Sequence, residues 1–170
     1  EKKLGMTINV PYPYQSKLSG INTQEIHDIL WYRKSVYIKN TDDCVVLHFE
    51  AVDYSCDVYI NGRHITHHEG GHIGFDCDIS EYRGMDVTIA LRVFDPSFDK
   101  SITRGKQTWD LKPHDIWYTR TSGIWQNVWL EYKDKISLNS VRYYPDDLTY
   151  SNLIDMDFSF EAVGKKLRIE

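Results

Sequence analysis

The residues of this chain that could do chemistry are carboxylates, imidazoles and indoles. Hydrolysis of a glycosidic bond uses two carboxylates about 5 to 10 Å apart on a rigid frame. Asp plus Glu number 25, but no pair stands at a spacing that fixes such a geometry, and most read as solvated surface. The densest spacing is His64, His67, His68 and His72 with Glu69. Imidazoles that close could hold a transition metal. Regular strand alternation, however, turns His64 and His67 to opposite faces. The expectation is a polar hairpin end with one His hydrogen-bonded near the turn, no metal site and no cofactor. No Gly-x-Ser-x-Gly elbow or phosphate-cradling loop is present. Cys44, Cys56 and Cys77 all lie in strand-like runs, where a thiol is buried rather than activated.

The stretch between Asp95 and Thr121 is left. It holds Pro96, Gly105 and Pro113, many charges and no steady period. Loops of that length inside compact domains are functional or disordered, and Trp109 and Trp117 argue for order. Asp95 closes a strand; Asp115 precedes Ile116-Trp117-Tyr118; Arg104, Lys106, Gln107 and Arg120 surround them. Sugars are held by flat side chains against their apolar faces and by Asp, Asn, Gln and Arg on their hydroxyls. This loop offers both kinds. Core packing and a place in a site both stand open for Trp117. Trp125 and Trp129, four residues apart, are expected to share one strand face in the core.

The elements that must position this loop read as strands. There are three alanines against 16 Ile, 11 Val, 10 Thr and 12 Tyr, a composition that suits a pleated surface and disfavours helix. Residues 29–39 are one strand candidate. In 44–52, Val45, Leu47, Phe49 and Ala51 alternate with polar neighbours, the period of a half-buried strand. Asn61-Gly62 between β-patterned runs predicts a two-residue turn with positive φ at both positions. Gly70-Gly71 marks a further turn before 73–77, and one helical turn is expected over 78–82. Residues 87–94 and 125–132 complete the first set. After Lys133-Asp134-Lys135 come runs at 136–144 and 153–162, separated by a polar turn from Pro145 to Asn152, and a last short run with Leu167 and Ile169.

Size and charge exclude several classes. At 170 residues the chain is too short for a (β/α)₈ barrel of roughly 250. A net charge of −5 leaves no basic footprint for nucleic acid. No apolar run approaches the roughly 18 residues of a membrane-spanning helix. The first residue, Glu1, suggests a start inside a longer precursor. An odd cysteine count implies no closed disulfide framework and favours a reducing compartment, the cytoplasm ahead of the periplasm.

An ordered set of short blocks carries a resemblance. Val10-Pro11-Tyr12-Pro13, Leu18-Ser19-Gly20-Ile21 and Trp31-Tyr32-Arg33-Lys34 come first. Phe49-Glu50-Ala51-Val52-Asp53, Val58-Tyr59-Ile60-Asn61-Gly62 and His68-Glu69-Gly70-Gly71 follow. Arg104-Gly105-Lys106-Gln107, Ile116-Trp117-Tyr118-Thr119, Ser122-Gly123-Ile124-Trp125-Gln126 and Val128-Trp129-Leu130-Glu131 end the series. Over about residues 8 to 131 the chain resembles the N-terminal sugar-binding domain of glycoside hydrolase family 2, the β-galactosidase, β-glucuronidase and β-mannosidase group. The resemblance implies an all-β protein: a jelly-roll (galactose-binding-domain-like) β-sandwich over 1–133, followed over 134–170 by the first strands of an immunoglobulin-like β-sandwich.

It further implies a non-catalytic domain of a retaining exo-β-glycosidase, whose catalytic residues lie on a (β/α)₈ barrel outside this chain. The partner is then a terminal β-linked sugar, with Asp95, Asp115 and Asn9 as hydroxyl contacts and Trp117, Arg104 and Gln107 beside them. Asp95 matches the β-galactosidase pattern and Asp115 the β-glucuronidase one, so the sugar stays open. The family's usual opening strand, Leu-Asn-Gly-x-Trp, is missing here. That implies an open sheet edge, which favours pairing of copies into a homo-oligomer. Two other readings accompany this one: an autonomous carbohydrate-binding module, and a purely structural domain.

Overall fold

The computed structural model describes residues 5–146, 151–166 and 168. Two antiparallel sheets make a β-sandwich. The strands, in chain order, are β1 (Ile29–Tyr37), β2 (Cys44–Phe49), β3 (Val52–Asp53), β4 (Ser55–Ile60), β5 (Arg63–Glu69), β6 (Phe75–Asp78), β7 (Asp86–Phe94), β8 (Gly123–Ile124), β9 (Val128–Lys133), β10 (Leu138–Asp146) and β11 (Ser151–Phe158). One sheet has the order β1-β7-β4-β5, the other β6-β2-β9, and β3 pairs with β8 at one end. Among the described residues, helix is confined to single 3₁₀ turns such as Ser80–Tyr82, where Asp78 Oδ1 accepts from the Ser80 amide at 2.8 Å.

The alternation read from the sequence is the alternation of the core. Val45, Leu47 and Phe49 of β2 point inward, against Cys56, Val58 and Ile60 of β4 and Val87, Leu91 and Val93 of β7. Burying each such aliphatic side chain contributes about 1.5–3 kcal/mol. The β4–β5 hairpin turns at Asn61 and Gly62 with φ of 51° and 83°, the two positive values the dipeptide predicts. Cys56 and Cys77 are buried free thiols; burial pushes them up to about 12 and about 11, so both stay protonated at neutral pH.

Two sequence expectations are corrected. First, Trp125 and Trp129 do not share a core face. β8 ends at Ile124 and β9 begins at Val128, so residues 125–127 break the count. Val128, Leu130 and Tyr132 turn inward and Trp129 outward, 42% exposed. Trp125 is half-buried off the strands, its indole Nε1 donating to Gly71 O at 2.8 Å. Second, His64 and His67 lie on the same side. Val58 pairs with Thr66 but Tyr59 pairs with His64, so a β-bulge at Ile65 absorbs one residue. Both imidazoles then reach Asp57 Oδ1, at 3.1 Å from His64 Nε2 and 2.9 Å from His67 Nδ1. Burial draws the Asp57 pKa up, but the two imidazoles outweigh it and hold the carboxyl below its ordinary value. His68 supplies the expected bond near the turn, to Gly70 O at 3.2 Å.

Beyond Lys133, β10 and β11 form a two-stranded antiparallel hairpin with Val141 opposite Met156 and Tyr143 opposite Ile154. Residues 147–150, within the expected polar turn, lie outside the described residues, as do Leu167 and Ile169.

Candidate functional site

At the β3–β8 end of the sandwich, the long loop starts where β7 stops. Asp95 is 2% exposed. Its Oδ2 accepts from Arg120 Nη2 at 2.8 Å and from the Ser122 hydroxyl, and Arg104 Nη2 stands 3.6 Å from its Oδ1. Arg120 also donates to Asp95 O at 2.7 Å and to the Ser97 hydroxyl, and Ser97 in turn donates to Asp28. Arg104 Nη2 donates to Pro96 O at 2.9 Å. Burial pulls the Arg104 pKa down; Asp95 opposes it, which keeps a charged pair in a dry place. Residues from the loop's first turn (Asp95, Ser97, Arg104) are thus locked to residues from its end (Arg120, Ser122).

A second clasp lies beside the first. Gln107 Nε2 donates to Asp53 Oδ2 at 2.9 Å, and Gln107 Oε1 accepts from the Thr121 amide at 2.8 Å. Asp53 is buried, and desolvation raises its pKa against the Gln107 hydrogen bond. Gly71 runs so close that any side chain there would strike the Asp53 carboxylate. At Gly123, φ is +82° and a Cβ would collide with the Tyr32 hydroxyl, so only glycine fits this corner. The Tyr32 phenol is pushed up to about 12 by burial.

Above these clasps the loop folds on itself. Thr108 N donates to Tyr118 O at 2.9 Å and Tyr118 N to Lys106 O at 2.7 Å. Trp109 and Trp117 meet edge to face at 5.5 Å, with the Arg104 guanidinium 5.7 Å from the Trp109 ring. The order that the two tryptophans imply is therefore built from their own contact. At the tip, Trp117 N closes a turn onto His114 O at 2.8 Å with Asp115 at φ 49°. The Asp115 side chain is 84% exposed; His114 lies between it and Asp110, with Nδ1–Oδ2 2.9 Å and Nε2–Oδ2 2.8 Å. The hydrogen bonds to Asp115 and then Asp110 raise the His114 pKa.

The structure brings Asp95, Arg104 and Gln107 together at the loop base and sets Trp117 half-buried above them. Asp115 stands apart as an exposed carboxylate on the tip. Asn9 is exposed, its amide on Leu18 O at 3.3 Å. Among the described residues, no hydrogen bond or ion pair joins Asn9 or Asp115 to the Asp95 cluster. Asp53 escapes sequence reasoning as a site residue, since its partner Gln107 lies 54 positions away. The described residues hold no group of three His, Cys, Asp or Glu side chains arranged for a metal ion.

The structure is thus a β-sandwich with a polar, aromatic loop pinned over one end. The family described as "Glycosyl hydrolases family 2, sugar binding domain" matches residues 2–134, and the chain belongs to that family. A β-galactosidase of Thermoanaerobacter pseudethanolicus is 27% identical over 146 residues, 82% of this chain and 18% of that protein. A β-glucuronidase of Formosa agariphila is 30% identical over 118 residues, 67% of this chain and 12% of that protein. The chain thus spans less than a fifth of these curated relatives. Among solved structures, a glycosyl hydrolase family 2 member from Bacteroides cellulosilyticus aligns with a TM-score of 0.52 and 25% identity over 68% of this chain and 15% of that one. The Faecalibacterium prausnitzii β-glucuronidase shares the fold, with a TM-score of 0.66 and 19% identity over 91% of this chain and 31% of that one.

Proposed function

We propose that this chain is the substrate-contacting and scaffolding domain of a longer retaining exo-β-glycosidase, with both catalytic carboxylates on a barrel elsewhere in the protein. The observation that carries the reading is the Asp115 turn. An exposed carboxylate is held by His114 on a loop whose two ends are clamped by buried ion pairs. Such an acceptor suits the hydroxyls of a terminal sugar, and a pre-positioned one loses little entropy on binding. Asp115 makes the direct contact. Asp95, closed off by Arg104, Arg120 and Ser122, acts from beneath by holding the loop. Gln107 does the same through Asp53, and Trp117 stiffens the tip against Trp109. Asn9 is a further contact on the same reading. Residues 134–170 begin a second, immunoglobulin-like sandwich. The β10–β11 hairpin supports this, as does a fold likeness covering more of the chain than residues 5–133 make up.

The test is kinetic. In the full-length protein, Asp115→Ala lowers kcat/KM on an aryl β-glycoside by about 1.5–3 kcal/mol, the range for a hydrogen bond to a charged group. Wild-type kinetics in this variant would overturn the reading.

A further inference from the structure

On the outer side of the β6-β2-β9 sheet lies a groove of about 340 Å³ that shares no residue with the 95–121 loop. Its wall is a stacked pair: the His48 and Trp129 rings lie 4.8 Å apart at 13°. His48 is fixed by Glu131, at 2.9 Å from Nε2, with Asp76 3.8 Å from Nδ1. Glu50 also lines the groove, its Oε2 already accepting from the backbone and side-chain amides of Asn127 at 3.0 and 2.8 Å. Gln126 adds an amide, and no Lys or Arg lines the groove.

We infer that this groove binds a neutral pyranose unit of an oligosaccharide, stacked on Trp129. A large aromatic surface left 42% exposed and held flat from behind matches the apolar face of a sugar ring. Each rim carboxylate keeps one oxygen outside the contacts above, and such oxygens accept hydrogen bonds only, which is what sugar hydroxyls require. Gln126 supplies the complementary donor. A uronate or a phosphate would meet carboxylates with no Lys or Arg beside them. An apolar peptide would desolvate those carboxylates for nothing in return. A basic peptide is disfavoured because both lining acids are already engaged, Asp76 by His48 and Glu50 by Asn127. This inference does not depend on the role of Asp115.

The probe is the S-linked digalactoside, neutral and resistant to hydrolysis, titrated into the ¹⁵N-labelled protein. The Trp129 indole Nε1–H resonance, identified by its loss in Trp129→Phe, shifts and saturates. Calorimetry gives an affinity about tenfold weaker in Trp129→Ala and largely kept in Trp129→Phe; D-glucuronate binds about tenfold more weakly than the digalactoside. A Trp129 resonance that stays in place in the wild-type protein overturns the proposal whether or not the alanine variant folds. So does a tetralysine peptide that binds more tightly than the sugar, or a signal lost in Asp115→Asn, which would assign the sugar to the loop.

Discussion

The side-chain amide of Gln107 donates to the buried carboxylate of Asp53 across 2.9 Å, while its carbonyl oxygen takes the Thr121 amide. One side chain therefore closes the long loop onto β3 and onto the loop's own exit. Gln107→Ala strands both partners in a dry site and is expected to cost about 1–3 kcal/mol in urea unfolding. Limited proteolysis should then cut within 95–121 faster than elsewhere. An unchanged cleavage rate would mean the loop is held without this clasp.

Arg120 is the heavier clamp. Arg120→Ala leaves Asp95 charged and buried with only Arg104 and Ser122 near it, a loss of about 3–5 kcal/mol. Arg120→Lys keeps the charge but lacks the fork that spans Asp95 and Ser97, so it should restore only part of the thermal stability. Full restoration by lysine would reduce the clamp to a point charge.

His114 gives the loop tip a pH dependence. Its pKa is raised in the folded protein above the ordinary 6.5, through Asp115 first and Asp110 second. A raised value means the folded state binds the proton more tightly. The contribution is therefore complete below about pH 6.5 and is lost as pH rises through the folded value. An NMR titration of the His114 ring should show a midpoint above 6.5, moved down in Asp115→Asn.

Leu47 and Trp129 test the assignment of faces on the smaller sheet. Leu47→Ala opens a cavity in the core and should cost about 2–5 kcal/mol. Trp129→Ala removes an outer ring and its stack on His48, with an expected cost of about 0.5–1.5 kcal/mol. Equal losses would mean that Trp129 packs inward after all.

Much of the sandwich was legible because its signals are local. Asn61-Gly62 names its own turn, and Val45, Leu47 and Phe49 name their own face. What misled was a change of count. The bulge at Ile65 and the break at 125–127 each shift the period by a step that no single residue type announces, so His64, His67 and Trp129 fall on faces the alternation denies them. The loop residues were findable by composition, Arg104 and Gln107 among them. Their division into a buried base and an exposed tip was not, because Asp53, Asp95 and Arg120 acquire partners only when distant segments close.

That division separates two kinds of sequence freedom. Arg104, Asp95 and Arg120 interlock, as do Gln107 and Asp53, so a change in one member of a clasp calls for changes in its partners. Residues 110–116 are exposed, and the hydrogen bonds made by their side chains, His114 with Asp110 and Asp115, stay among themselves. They can be exchanged, lengthened or recharged one at a time on an unaltered footing. A library confined to those seven positions should therefore retune what the loop recognises while every member keeps the same sandwich.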